Sequence, residues 1–383
     1  MKHRHARRID AIEPSIFATM SQLAAEHQAV NLGQGFPDFD GPSWIIEAFA
    51  EALRSAKNQY APMPGVQRLR RAVAGYQKAF YDLDFDAEKE ITVTAGATES
   101  LFSTMLALLD PGDEVILFEP YYDSYYANCL LAGARPVCVT LHTPDFHIDG
   151  EALAQAVTER TRMIVLNNPH NPTGRMFTRA ELDIVADAAQ RHDLFVISDE
   201  VYEFLTFDDR THIPFASLPG MRERTIAISS TGKTFGMTGW KIGYTMASEE
   251  LTKAVRTVHQ FVTFAVNTPG QHAMAQGLER LPDYLPEFRA EYQRKRDLLF
   301  HGLRESAFRA IIPEGTYFMM ARLPAGAGSD VECATRLVTQ HGVAVIPPSV
   351  FYQNSDEGTT LLRLCFAKTD ETIREGIRRL QTC

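Results

Sequence analysis

The feature that most constrains the fold is an alternation along the middle of the chain, where short apolar runs are separated by longer stretches of helical apolar spacing. Runs too short for a helix and apolar on both faces fit strands buried from both sides, and the intervening helices supply the cover. The pattern predicts an α/β fold, with a mainly parallel sheet covered by helices and a smaller α/β unit after it. The predicted strands are residues 114–119, 163–167, 194–198, 225–229 and 242–246. A helix is predicted over 178–191, where Thr178 and Glu181 have the spacing of a capping box. Polar residues that could do chemistry fall just after several of these strands, and ligands of open α/β sheets bind there.

From Leu281 two prolines lead into a charged helix predicted over 286–305, followed by strands at 316–322 and 361–367. That reads as a second, smaller α/β domain. Gly33, Gly35, Pro37, Gly41 and Pro42 lie close together, which predicts an irregular arm before the large domain. The expected division is an arm over 1–42, a large domain over 43–280 and a small domain over 281–383.

Hydrophobic residues at 45% with 22% charged argue for a packed core and against disorder. With 48 acidic against 38 basic residues the formal charge is -10, so no overall positive field exists to hold nucleic acid or an anionic membrane. Small molecules are the expected partners. The five cysteines are scattered, with no Cys-x-x-Cys pair and no histidine at zinc spacing, and are read as reduced thiols of a cytoplasmic protein without a bound metal. The basic opening from Met1 to Arg8 is expected to be a solvated tail, since no apolar stretch of signal-peptide length follows it.

After the strand at 225–229 comes Ser230-Thr231-Gly232-Lys233-Thr234, which ends like a phosphate-binding loop. Against a nucleotide hydrolase stand Ala227, where the first glycine of that motif belongs, and Gly236 and Gly239, too close for the required helix. Read otherwise, Lys233 is a lysine nucleophile in a tight polar loop, with Ser230 and the cationic Lys241 placed to neutralise a phosphate.

Asp199 follows the strand at 194–198, with Tyr202 three residues on. A carboxylate there can keep a ring nitrogen protonated, and as a plain helix cap it would serve equally well. The turn-rich Asn167-Asn168-Pro169-His170-Asn171-Pro172-Thr173-Gly174 either holds its own loop or offers Asn171 to a ligand. Ala95-Gly96-Ala97-Thr98 leads into an apolar helix predicted over 100–109, whose start can receive a phosphate.

Asn171-Pro172-x-Gly174, Asp199-Glu200-x-Tyr202, Ser230-x-x-Lys233 with Gly239-Trp240-Lys241, and Arg363 in Leu362-Arg363-Leu364-Cys365-Phe366 together resemble the class I aminotransferases of pyridoxal-phosphate fold type I. The resemblance spans nearly the whole chain. The arm Val30-Asn31-Leu32-Gly33-Gln34-Gly35-Phe36-Pro37-Asp38 and Asn58-Gln59-Tyr60 look like those of bacterial methionine aminotransferases, kynurenine aminotransferases and glutamine transaminase K.

By that likeness the large domain holds pyridoxal 5'-phosphate. Lys233 would carry it covalently and then shuttle a proton, Asp199 would face the pyridine nitrogen, Tyr202 and Asn171 the phenolic oxygen, and Tyr122 would stack on the ring. The phosphate would meet Ala97, Thr98, Ser230, Lys241 and, from the partner subunit of a homodimer, Tyr60. Arg363 would clamp the substrate α-carboxylate with help from Asn171 and the backbone at Gly35. Ile16, Phe17, Phe36, Tyr60 and Phe264 would wall the side-chain pocket, with Phe264 also reaching the partner's site, and no second arginine joins them.

The resemblance thus implies transfer of the α-amino group of methionine or another non-polar, aromatic or glutamine-like amino acid to a 2-oxo acid. Ala265 replaces the histidine of animal kynurenine aminotransferases, while Asn267-Thr268-Pro269 looks like the methionine enzymes. Kynurenine transamination and β-elimination from cysteine S-conjugates remain alternatives. A coenzyme-binding regulator is the reading outside catalysis, and the short basic start leaves no expected room for the DNA-binding domain such proteins add.

Overall fold

The computed structural model describes residues 5–12 and 14–383, so the first four residues of the basic opening lie outside it. Its strands in chain order are β1 (Val30–Asn31), β2 (Ile91–Thr94), β3 (Glu114–Glu119), β4 (Arg135–Thr140), β5 (Thr161–Asn167), β6 (Phe195–Asp199), β7 (Thr225–Ser230), β8 (Gly243–Met246), β9 (Arg309–Ala310), β10 (Phe318–Arg322), β11 (Val343–Ala344) and β12 (Leu361–Cys365). Seven make one sheet in the order β2-β8-β7-β6-β5-β3-β4. Only β8 runs antiparallel to its neighbours there, so the sheet is mainly parallel.

Strand periodicity divides the core. Ile116 and Phe118 pack on one side with Leu182 and Val185 of the helix Arg179–Arg191, while Val115 and Leu117 pack on the other with Leu101 and Met105 of the helix Gly96–Leu108. Each such side chain contributes about 1.5–3 kcal/mol on burial, which is why apolar runs of this length can be committed to a two-sided sheet.

Two smaller sheets lie apart from it. One is the antiparallel β12-β10-β9, and the other pairs β1 with β11 in parallel. The arm is therefore less irregular than its glycines and prolines predict, since it holds a helix, Ile16–Glu26, as well as β1. The pairing of Val30 with Val343 explains this, because the hydrogen-bond partner of that segment comes from 313 residues further along and has no local signature.

Other boundaries also move. The long charged helix starts at Leu281 rather than 286 and contains Pro286. A proline inside a helix costs about 3 kcal/mol, but buried Leu281, Leu285, Phe288, Tyr292 and Leu299 give the segment an apolar stripe that outweighs it. The helix predicted over 100–109 begins four residues earlier, at Gly96, where the Glu99 carboxylate accepts the amide of Ala95 and closes the first turn. Thr178 caps its helix as predicted, with both hydrogen bonds of the capping box formed. The strands β2 and β4 went unpredicted: β2 is only four residues long, and β4 is a partly exposed edge strand that starts Arg-Pro.

Candidate active site

Register brings the polar ends of the strands to one edge. Asn167 ends β5 opposite Asp199, which ends β6, and Ser230 ends β7 opposite Gly243, the first residue of antiparallel β8. The turns after β2 and β3 add Gly96, Ala97, Thr98 and Tyr122. All of these but Gly243 line one cavity of about 320 Å³, together with Lys233, Lys241, Tyr202, Asn171, Arg363, Gly35, Phe17 and Phe36. That edge is the carboxyl end of the parallel strands, where the topology predicts a ligand site.

Lys233 sits not in a loop but on a single helical turn, Thr231–Thr234, capped by the Ser230 hydroxyl, which accepts from the Gly232 amide at 3.2 Å. One turn suffices because Gly236 has positive φ and breaks the helix at once. Burial holds the Lys233 amine down at about 8, well below an ordinary lysine. Asp199 is buried as well, and burial pushes its carboxyl up to about 6 against the hydrogen bond that Tyr125 donates at 2.6 Å. Its other oxygen meets only the Val201 amide, at 3.3 Å.

The opposite end of the cavity is built for an anion. Ala97 and Thr98 occupy the first turn of the helix Gly96–Leu108, where N–H groups lack intrahelical acceptors. Lys241 donates to the Thr98 hydroxyl at 3.1 Å. A Cβ on Gly96, whose φ is +73, would lie 3.2 Å from the Lys241 amine, and one on Gly243 would lie 2.6 Å from the Ala97 nitrogen. The two glycines let a strand, a helix start and a lysine converge on one point.

Arg363 is fully buried on β12. It donates to the Asn171 side-chain oxygen at 3.2 Å and to the Gly33 carbonyl at 3.0 Å, and its Nε has no partner among the described residues. Its guanidinium lies 4.0 Å from the Phe318 ring centre and 4.9 Å from that of Phe17. In the arm, Gly33 accepts from Arg363, and the Gly35 carbonyl accepts the Tyr317 hydroxyl at 2.6 Å. Asn171 is likewise engaged with Arg363, and its amide donates to Asn167 at 2.6 Å.

Ile16 lies outside the cavity. So do Tyr60 and Phe264, which pack edge to face at 5.5 Å on the surface, Tyr60 being 83% exposed. Three residues of the site went unremarked in the sequence. Asn167 donates to the Asp199 carbonyl at 2.9 Å and so ties two strand ends together; the asparagine-rich motif holds it, but its spacing points to Asn171. Tyr125 and Tyr317 carried no motif, since an aromatic on a helix or strand reads as core.

Residues 27–380 match the family model for aminotransferase class I and II. The chain belongs to that family. Among its relatives, the methionine aminotransferase of Escherichia coli (strain K12) is 44% identical over 371 residues, 96% of this chain and 95% of that protein. Kynurenine–oxoglutarate transaminase 1 of Homo sapiens is 36% identical, covering 99% of this chain and 98% of that protein. The solved N-succinyldiaminopimelate aminotransferase of Mycobacterium tuberculosis superposes with a TM-score of 0.96 at 42% identity, covering 99% of each chain. The fold is therefore that of the fold type I aminotransferases, and the chain is an aminotransferase. Among the described residues no helix is long and apolar enough to cross a membrane.

Proposed function

We propose that this aminotransferase uses pyridoxal 5'-phosphate to move the α-amino group of methionine, or of another non-polar, aromatic or glutamine-like amino acid, to a 2-oxo acid. The observation that carries the proposal is a single cavity with a buried amine, Lys233, a buried carboxylate, Asp199, and a buried guanidinium, Arg363. The residues fit the coenzyme. Ala97, Thr98, Ser230 and Lys241 would hold its phosphate, Asp199 its ring nitrogen, Tyr202 and Asn171 its phenolic oxygen, Tyr122 its ring face and Lys233 its aldehyde carbon. Bound there, it supplies an electron sink for the pair released when an amino acid's α C–H bond breaks.

The chain's own groups do the rest. Arg363 pairs the α-carboxylate, the task its planar fork and spare N–H groups suit. Lys233, once free, takes and returns the α-proton, which its depressed basicity allows near neutral pH. Asp199, whose charged form burial disfavours, would be held anionic by the ring cation it pairs with. Phe17 and Phe36 offer an apolar wall, and among the described residues Arg363 is the only arginine lining the cavity, which favours uncharged donor side chains.

The exposed Tyr60 and Phe264 support a homodimer in which each reaches the partner's site. The domain division over 1–42, 43–280 and 281–383 and a cytoplasmic location, consistent with five unpaired cysteines, belong to the same proposal.

Visible absorption of the purified protein that bleaches on adding methionine is the expected result. Lys233→Ala should bind the coenzyme without turnover, and normal multiple turnover by that variant would reject the assignment. Comparing methionine, phenylalanine, glutamine, aspartate and N-succinyldiaminopimelate as donors tests the pocket, and a strong preference for either acidic donor overturns the substrate class.

A further inference from the structure

Lys233 donates a hydrogen bond at 3.0 Å to the hydroxyl of Tyr317, a residue with no role in the reading above. A phenol has one proton. Tyr317 gives it to the Gly35 carbonyl at 2.6 Å, so its oxygen can only accept from Lys233. An amine that spends one N–H on a fixed acceptor has its remaining positions fixed as well, including the lone pair of the neutral form.

The backbone invests in this placement. Thr316, fully buried and β-branched, has φ +64, a left-handed conformation such residues rarely adopt. The turn is over-determined by hydrogen bonds to the seven-stranded half: Glu314 and Gly315 amides to the Gly174 carbonyl at 2.8 and 2.9 Å, and the Thr316 amide to Leu205 at 2.9 Å. On the other side the Tyr317 carbonyl accepts from Phe366 at 3.0 Å. The Tyr202 ring closes the third side, edge to face at 5.3 Å. Strain at a buried β-branched residue, one step before a hydroxyl aimed at the reactive amine, marks a conformation kept for what the tyrosine does.

We infer that Tyr317 is a positioning residue for Lys233: its oxygen holds the free amine and sets the direction of its lone pair, and its proton ties that geometry to the arm at Gly35. The inference rests on the proposed role of Lys233. Removing the acceptor should disfavour the ammonium form more than the neutral one, because the charged donor makes the stronger bond.

The test is competitive acylation of Lys233 with acetic anhydride across pH in coenzyme-free protein, read by peptide mass. In Tyr317→Phe the labelling midpoint should fall by about one pH unit. In coenzyme-loaded enzyme the same variant should lose about tenfold in kcat with KM for methionine within about twofold. Should Tyr317→Phe not fold, Thr316→Gly relieves the strained φ and loosens the aim of the hydroxyl, and should give a smaller fall in the same direction. An unchanged or raised midpoint in the folded variant overturns the assignment. Turnover by Lys233→Ala would instead sink the role of Lys233, whatever the labelling of Tyr317→Phe shows.

Discussion

Asp199 and Glu200 are consecutive buried carboxylates at the end of one strand, and they face different surroundings. Glu200 is fully partnered: Ser198 donates at 2.6 Å and the Phe215 amide at 3.0 Å to one oxygen, and His212 lies 3.1 Å from the other. Asp199 has one strong donor, Tyr125, and a second oxygen with only a long contact to Val201. Burial costs both groups the same kind of desolvation, so the difference lies in who repays it. The protein itself satisfies Glu200, whereas Asp199 is left half satisfied and opens onto a cavity. A partly satisfied buried carboxylate is the better marker of a ligand site than burial alone.

The largest expected contrast comes from neutralising each group. Asp199→Asn should keep the fold, because an amide is cheaper to bury than a carboxylate, yet on the proposed role of Asp199 it should lower kcat by about a thousandfold through loss of the charge that would face the coenzyme ring. Steady-state rates beside a thermal melt check this, and a variant with near-parental rates would erase the distinction. Glu200→Ala should do the reverse. It strands Ser198, His212 and the Phe215 amide inside the protein, at roughly 4 kcal/mol of stability, while kcat per folded molecule stays near the parent's. Urea unfolding measures the first and active-site titration the second; a catalytic defect without destabilisation would make Glu200 part of the site.

The same contrast explains what could be read from the sequence. Asp199 was recognisable because a strand end, a tyrosine three residues on and a lysine loop elsewhere form a spaced set, each member modest and the order telling. Strands β3, β5, β6 and β7 were recognisable for a simpler reason, being apolar runs that need no partner to declare themselves. Short β2 and half-exposed β4 lacked that signal. The direction of β8 was hidden because polarity of pairing leaves no mark on composition. Tyr125 and Tyr317 were hidden for a related reason: their function lies in a hydroxyl whose partner is 74 or 84 residues away, and no local pattern encodes that distance. The Gly33 carbonyl that meets Arg363 is likewise a backbone group, which no side-chain motif can announce.

The smallest expected effect sharpens the comparison most, since it alters the partners of Asp199 without touching its charge. The Tyr125 hydroxyl donates to the ionised carboxylate and holds its pKa below where burial alone would put it. In Tyr125→Phe that restraint is gone, so the carboxyl of the coenzyme-free site should titrate about one unit above its value of about 6. On the proposed role of Asp199 the coenzyme's ring cation would pair only with the ionised form, so affinity should be full above the Asp199 pKa and lost as pH falls through it. The acid limb of coenzyme affinity should therefore move up by about one pH unit in the variant, with affinities converging near pH 9. Fluorescence titration of the apoprotein with pyridoxal phosphate between pH 5 and 9 reads this directly. An acid limb that stays in place would mean that Tyr125 is mere packing beside Asp199, and that the carboxylate owes its ionisation to the cavity's own cations, Lys233 foremost, whose charge also favours it.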